Sequence, residues 1–373
     1  MRNLLLLFFV LLTGAVAQAQ YNVRIELTSN ANVNTGDTLY LAGSFNGWNP
    51  ADPKYGFLPG TSLVVSLPAG GFEYKVTRGS WDKAECKADG SSAPNRQIIL
   101  SSDTVLRLQV AEWSDRVAPK PKRSTASKQV QVLDTAFYIP KLNRYRRVWI
   151  YLPENYARDN QERYPVLYMH DGQNLFEDTT SYAGEWGVDE YLDSIKLKKY
   201  IVVGIDHGGE KRMNEYNPFD HSKFGKGEGA AYVDFVAKKL KPFIDKHFRT
   251  IRDRQHTFIA GSSMGGLISM YAVLRHPNVF GVAGVFSPSF WVSDKINSYI
   301  RQRGKKYKGL VYFYAGKQEG EQMVQDLLKA FEILSTVSKA KSTVVIRNDG
   351  MHNEATWRRE FPLFYEWLLQ SQK

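Results

Sequence analysis

The chain has 373 residues, a formal net charge of +11, 43% hydrophobic and 13% aromatic content, and one cysteine. That length leaves room for more than one domain, and the apolar fraction excludes a disordered chain. The lone Cys86 excludes an intramolecular disulfide framework and a cysteine-rich zinc site, and with no glycine-rich turn or His beside it, it reads as a half-buried side chain.

The N-terminus carries a positive start at Arg2, an apolar run over 4–12, and two A-x-A sites, Ala15-Val16-Ala17 and Ala17-Gln18-Ala19. Residues 1–19 are therefore expected to be a cleaved signal peptide, and the mature protein secreted or periplasmic. The apolar run is too short to span a bilayer and no later stretch is long enough, so no membrane span is expected.

Short alternating runs follow at 23–27, 38–42, 62–67, 72–77, 97–100 and 104–110, separated by Gly, Asn, Pro and Asp turns. They predict a small all-β, immunoglobulin-like sandwich over residues 21–113. Residues 114–129 read as a basic Pro/Lys/Ser linker. Arg116, Lys120, Lys122, Arg123 and Lys128 place five positive charges there, so the net charge is no argument for nucleic-acid binding.

From 130 to 373 the rhythm becomes α/β. Strands are expected at 147–152, 166–170, 201–206, 257–261, 282–287, 310–315 and 343–347, with helices at 188–197, 230–248, 265–275, 322–335 and 357–370. Continuous apolar strands between amphipathic helices predict a mostly parallel sheet covered on both faces.

The strongest chemical signal is Gly261-Ser262-Ser263-Met264-Gly265-Gly266, a G-x-S-x-G turn between an apolar strand and an amphipathic helix. That is the strand–turn–helix setting of an α/β-hydrolase nucleophile elbow, with Ser263 as nucleophile. Glycines flank it because the tight turn leaves no space for a Cβ. A hydroxyl needs an adjacent base, and the chain order in this fold is Ser, acid, His. Only His276 and His352 follow Ser263. His276-Pro277 reads as a helix cap, whereas His352 falls between the last strand and the last helix and is the expected base. Glu319, in the loop after strand 310–315, is the preferred acid, with Glu321 second and Asp294 third; Asp349 reads as shaping the turn before His352. The Met264 N–H, with that of Gly172 or Gln173, would stabilise the oxyanion. His170-Asp171 reads as structural rather than as a metal pair, because no further ligands have suitable spacing. No cofactor or metal is expected.

These motifs carry a resemblance. Residues 137–369 resemble the esterase family that includes esterase D, enterochelin esterase, and the feruloyl and acetyl-xylan esterases of carbohydrate esterase family 1. The matching stretches are 166–176, Glu185-Trp186-Gly187-Val188-Asp189, the Ser263 elbow, Phe286-Ser287-Pro288-Ser289-Phe290-Trp291 and Gly350-Met351-His352. The resemblance implies carboxylic-ester hydrolysis without a cofactor, on a small-molecule or glycan ester. Trp186, Phe290 and Trp291 are candidate pocket aromatics, and Asn214, Glu215 and Tyr216, on a polar loop, are candidate substrate contacts.

In the first module Gly43-Ser44-Phe45-Asn46-Gly47-Trp48-Asn49-Pro50, then 72–81 and Asn95-Arg96, resemble the glycogen- and starch-binding sandwiches of carbohydrate-binding module families 48 and 20. The resemblance implies a sugar platform of Trp48 and Trp81, with Lys75 and Asn95 beside it. A spacer or substrate-shaping role is the competing expectation. The readings left standing are an esterase of feruloylated or acetylated glycans, a siderophore (catecholate ester) esterase, an acyltransferase of the same fold, and a glycan-binding protein on an inactive hydrolase scaffold.

Overall fold

The computed structural model describes residues 19–371 other than 30–32, 35, 118–122, 159–160 and 183, and not the side chain of Glu321. Residues 1–18 of the expected signal peptide, with Lys120 and Lys122, lie outside the described residues, as does the Glu321 carboxylate. The chain divides into two compact units, 1–90 with 95–118, and 119–373 with 91–94.

The first unit holds β1 (Gln20–Ser29), β2 (Leu39–Gly43), β3 (Gly56–Phe57), β4 (Ser62–Pro68), β5 (Gly70–Thr77), β6 (Glu85–Cys86), β7 (Arg96–Leu100), β8 (Thr104–Gln109) and β9 (Glu112–Trp113). They form sheets ordered β4-β1-β8, β3-β2-β5-β7 and β6-β9. Period-two alternation drives the packing: Val23 and Ile25 are buried while Arg24 between them is exposed. They meet Leu39, Leu41, Val65, Leu67, Tyr74, Val76, Leu108 and Trp113 in one core.

The second unit is built on eight strands: β10 (Val130–Ile139), β11 (Arg144–Tyr151), β12 (Val166–His170), β13 (Ile201–Ile205), β14 (Thr257–Ser262), β15 (Val282–Phe286), β16 (Leu310–Gly316) and β17 (Lys341–Arg347). Their order is β10-β11-β13-β12-β14-β15-β16-β17. The β10–β11 and β11–β13 pairs are antiparallel and the rest parallel. Alternation sends Tyr168, Val203 and Ile259 into one core and Leu167, Val202 and Phe258 into the other. Both faces are thus covered, as the unbroken apolar strands require.

The helices are α1 (Val188–Ser194), α2 (Arg212–Tyr216), α3 (Gly229–Phe235), α4 (Lys241–His247), α5 (Met264–Arg275), α6 (Lys295–Arg303), α7 (Glu321–Val337) and α8 (Glu354–Gln370); a π turn over 236–240 joins α3 to α4. In α8, Trp357, Phe361, Phe364, Tyr365 and Leu368 form the buried stripe that helical spacing dictates. Strand β10, helices α2 and α6, and the two-residue strands were not expected.

Part of the segment read as a linker is tied to the second unit. Ser124 Oγ donates to Glu177 at 2.5 Å, Thr125 Oγ1 to Glu185 at 2.9 Å, and the Ser127 N–H to Asp189 at 2.7 Å. Among the described residues no helix is long and apolar enough to cross a membrane.

Candidate active site

Parallel strands deliver their loops to one edge of the sheet, where crossover folds place their sites. There β14 ends, and α5 starts one residue later. Ser263 fills that single position with φ 58° and ψ −121°. A non-glycine residue in this region is strained. Hydrogen bonds hold it from both sides: its N–H donates to Phe286 O at 2.9 Å, and its carbonyl accepts from Ser289 N at 3.0 Å. A Cβ on Gly266 would come within 2.8 Å of Phe286 O, so that position admits only glycine. Ser263 Oγ lies 3.1 Å from Ser289 Oγ, at the N-terminus of a twelve-residue helix whose first N–H groups lack intrahelical acceptors.

Two strands away, β16 runs into a 3-10 turn that carries Glu319. Its side chain has 0% exposure. One oxygen, Oε1, accepts from the Gly316 N–H at 2.6 Å and from Ser287 Oγ at 2.8 Å. The other, Oε2, lies 2.7 Å from His352 Nδ1. A carboxylate so engaged accepts on both oxygens, which puts the imidazole proton on Nδ1 and leaves Nε2 as the basic nitrogen. His352 sits between β17 and α8, with Asn353 capping α8 through the Thr356 N–H at 3.0 Å.

The loop after β12 turns through Asp171, left-handed at φ 56°, into a 3-10 turn over Gly172–Asn174. A Cβ on Gly172 would approach Ile205 N to 2.7 Å, so only glycine lets this turn lie on β13. Arg212, at the start of α2, grips Asp171 with two bonds of 2.7 and 2.8 Å, and the Asp171 N–H donates to Tyr216 Oη at 3.2 Å. Burial would push the Asp171 carboxyl up, but the charge and hydrogen bonds of Arg212 hold it below the usual carboxylate range. His170 lies under the elbow, with Nδ1 2.9 Å from Tyr232 Oη, and burial draws its pKa down to about 4, so it is neutral. Burial also lowers His207 and raises Glu354, whose Oε1 accepts from Asn174 Nδ2 at 3.2 Å. The ends of β12, β14, β16 and β17 thus bring Ser263, Met264, Gly172, Gln173, His352 and Glu319 onto loops at the same edge of the sheet. An arrangement of this kind suits attack by a hydroxyl on a carbonyl carbon.

Several expected contacts are corrected. Trp186 is 3% exposed and packs edge-on to Phe286 and Phe361 and tilted against Trp357, so it is core. Phe290 and Tyr216 are likewise buried. The polar loop holding 214–216 is helix α2. Glu215 has 0% exposure and pairs with Arg144 at 2.9 Å and Arg146 at 2.6 Å, which leaves no oxygen for a substrate. The Asn214 amide donates to the Phe224 and Lys226 carbonyls, both at 2.9 Å, and so holds the 218–228 loop. Trp291 alone of these is open, at 57% exposure, two residues after Ser289 and edge-on to Phe224.

In the first unit the Trp48 and Trp81 rings lie 6.2 Å apart and tilted by 39°, with Trp81 40% exposed. The Asn95 amide donates to Glu73 at 3.1 Å. Lys75 is corrected: it is buried at 3% exposure, and desolvation lowers its pKa, so its ammonium is not presented at the surface.

Sequence reading missed Arg212, Ser287, Ser289, Trp357 and Glu354. The Ser287-Pro288-Ser289 repeat after an apolar strand was the one signal available for two of them. Among the described residues no group of three or more His, Cys, Asp or Glu could hold a metal ion.

A mostly parallel eight-stranded sheet with an elbow at the end of β14 defines the α/β-hydrolase class. Residues 139–365 match the family model described as Putative esterase, more than half of the chain, and the protein belongs to that family. It is 27% identical over 239 residues to uncharacterized protein YbbA of Bacillus subtilis (strain 168), covering 60% of this chain and 92% of that one. It is also 27% identical over 233 residues to an endo-1,4-beta-xylanase/feruloyl esterase of Xylanibacter ruminicola, a match covering 61% of this chain but only 30% of that protein. Among solved structures, the enterobactin esterase FES from Shigella flexneri superposes with a TM-score of 0.55 at 16% identity, covering 91% of this chain and 90% of that one.

Proposed function

We propose that the protein is a serine carboxylic-ester hydrolase acting through an acyl-enzyme, with feruloyl or acetyl esters on glycans as substrates. The observation that carries the reading is the His352–Glu319 pair at 2.7 Å on the same sheet edge as the strained Ser263 elbow.

In this mechanism Ser263 Oγ attacks the ester carbonyl while His352 Nε2 takes its proton. The N–H groups of Met264 and of Gly172 or Gln173 receive the oxyanion. His352 returns the proton to the departing alkoxide, so the alcohol leaves neutral. Water, deprotonated by the same imidazole, then attacks the acyl-serine; the imidazolium returns that proton to Ser263 Oγ as the acyl–oxygen bond breaks, which releases the acid and restores the free hydroxyl. Glu319 holds the imidazole tautomer and stabilises its cationic form without taking the proton. Membership of the esterase family supports ester hydrolysis, and the relative described as a xylanase/feruloyl esterase supports the glycan-ester class. The exposed Trp291 would stack on an aromatic acyl group at the rim of this site. The Trp48–Trp81 pair would hold a sugar chain, with the protein acting outside the cytoplasm after signal-peptide removal.

The net charge of +11 favours one second reading, an esterase of anionic catecholate siderophores. The test compares p-nitrophenyl acetate, methyl ferulate and a catecholate triester, each with Ser263→Ala beside the parent. Release of ferulate or acetate that Ser263→Ala lowers by about three orders of magnitude or more is expected. Preference for the triester moves the substrate to siderophores. Absence of any Ser263-dependent hydrolysis removes the esterase reading and leaves the acyltransferase or glycan-binding scaffold. In the same preparation, Trp81→Ala should weaken sedimentation with insoluble xylan while leaving methyl ferulate hydrolysis unchanged.

A further inference from the structure

Three side chains and the proposed base itself close into a ring that neither the elbow nor the sequence motif explains. The Ser287-Pro288-Ser289 turn leaves β15 with Ser287 in a left-handed backbone, φ 42°, and fully buried. The Ser287 N–H donates to Tyr314 O at 2.7 Å, which fixes that unusual geometry. The Ser287 hydroxyl has a single proton, and its direction is set. Trp357 Nε1–H, which can only donate, gives its bond to Ser287 Oγ at 2.9 Å. Ser287 therefore donates onward, to Glu319 Oε1 at 2.8 Å. Glu319 Oε2 meets His352 Nδ1, and the His352 ring stands edge-on to Trp357, with centroids 5.1 Å apart and planes at 81°. Trp357 thus reaches the imidazole twice, by direct packing and through three hydrogen bonds that pass by Ser287 and the Glu319 carboxylate.

Glu319 needs such support. It stands on a three-residue 3-10 turn, which has little stiffness of its own, and its carboxylate could pivot about its terminal torsion. The bonds from Gly316 N–H and Ser287 Oγ on one oxygen fix the carboxylate plane, and the plane fixes the direction of the His352 bond. We propose that Ser287 and Trp357 are positioning residues, a brace that sets the tautomer and tilt of the His352 imidazole through Glu319 while touching no substrate. The proposal rests on the reading of Ser263, His352 and Glu319 as the reacting set.

The experiment uses the full chain and two variants, Ser287→Ala and Trp357→Phe. The second removes the N–H together with the five-membered half of the indole, so Ser287→Ala, which leaves the ring that packs on His352 in place, is the variant that guards against a folding defect. In a Ser263→Ala background, which needs no turnover, proton NMR should show a low-field resonance for the Nδ1–H held by Glu319. Both variants should shift it upfield and speed its exchange with solvent. In the active enzyme each should lower kcat roughly tenfold to a hundredfold, the scale of a small misplacement of reacting groups, with KM little changed. The double variant should lose less than the product of the two single losses, because both act through one bond chain. An unshifted resonance with parental kcat in Ser287→Ala would overturn the brace. Hydrolysis that persists in Ser263→Ala would instead strike the underlying reading, and the resonance comparison would still decide the brace by itself.

Discussion

Glu215 shows how a polar residue near a site can belong wholly to the scaffold. Its carboxylate is sealed from water between Arg144 and Arg146, and a Cβ on Gly208 would fall 2.6 Å from its Oε2, so the backbone closes over it. Arg146 is itself nearly buried, and among the described residues it bonds no other carboxylate. Removing the charge strands a buried guanidinium, an imbalance that costs about 3 kcal/mol or more. Glu215→Gln should therefore lower the free energy of urea unfolding by about that amount and leave KM for every ester unchanged. A raised KM at parental stability would restore the substrate-contact reading. The contrast with Ser263 is instructive. Ser263 was legible because strand, glycines and helix are adjacent in the chain. Glu215 carries no local mark of its partners, which lie 71 and 69 residues away. Ser287 and Trp357 were hidden for the same reason, being 70 residues apart.

At the scale of elements, long periodic segments were readable and short ones were not. Helix α7 and helix α8 span 17 residues each, enough turns to display an apolar stripe, whereas α2 has five and is held by tertiary contacts. The segment over 124–127 gave no periodic signal at all, because its order comes from carboxylates elsewhere. Those carboxylates make a pH prediction. Burial, then the hydrogen bond and charge of Glu190, push Glu185 up to about 8; burial likewise raises Asp189 to about 7, against the opposing bond from Ser127. Both folded values exceed the ordinary carboxylate range, so folding favours the protonated forms, and stability is lost as pH rises from that range towards 8. Buried His170, His207 and His276 are lowered and act oppositely, but their gain is complete above the ordinary His value of 6.5. The melting temperature of the α/β unit should thus fall between pH 6.5 and 8, at about 2–4 °C for each kcal/mol lost. Glu190→Gln should flatten that slope; an equally steep slope would assign the effect to other groups.

Across the whole molecule, the fold class followed from composition rhythm alone, since alternating strands give a sandwich and unbroken apolar strands give a covered parallel sheet. What sequence could not supply was the matching of loops at the sheet edge, which depends on an order, β13-β12-β14-β15-β16-β17, that no local pattern encodes. That order has a kinetic consequence. The proposed nucleophile is carried between β14 and α5, but the proposed base waits on the docking of β17 and α8, and its proposed brace on Trp357 within α8. Chains grow and fold from the N-terminus, and pairings distant in sequence form late. A nascent or half-refolded chain would hold a serine elbow with no partner to activate it. In refolding from urea, turnover should return only with the last phase, together with the burial of Trp357 followed by fluorescence against Trp357→Phe. Turnover that preceded that phase would mean the elbow works without its late-arriving strand and helix. With turnover confined to the last phase, the protein is an inert precursor for most of its own folding, switched on by assembly rather than by cleavage.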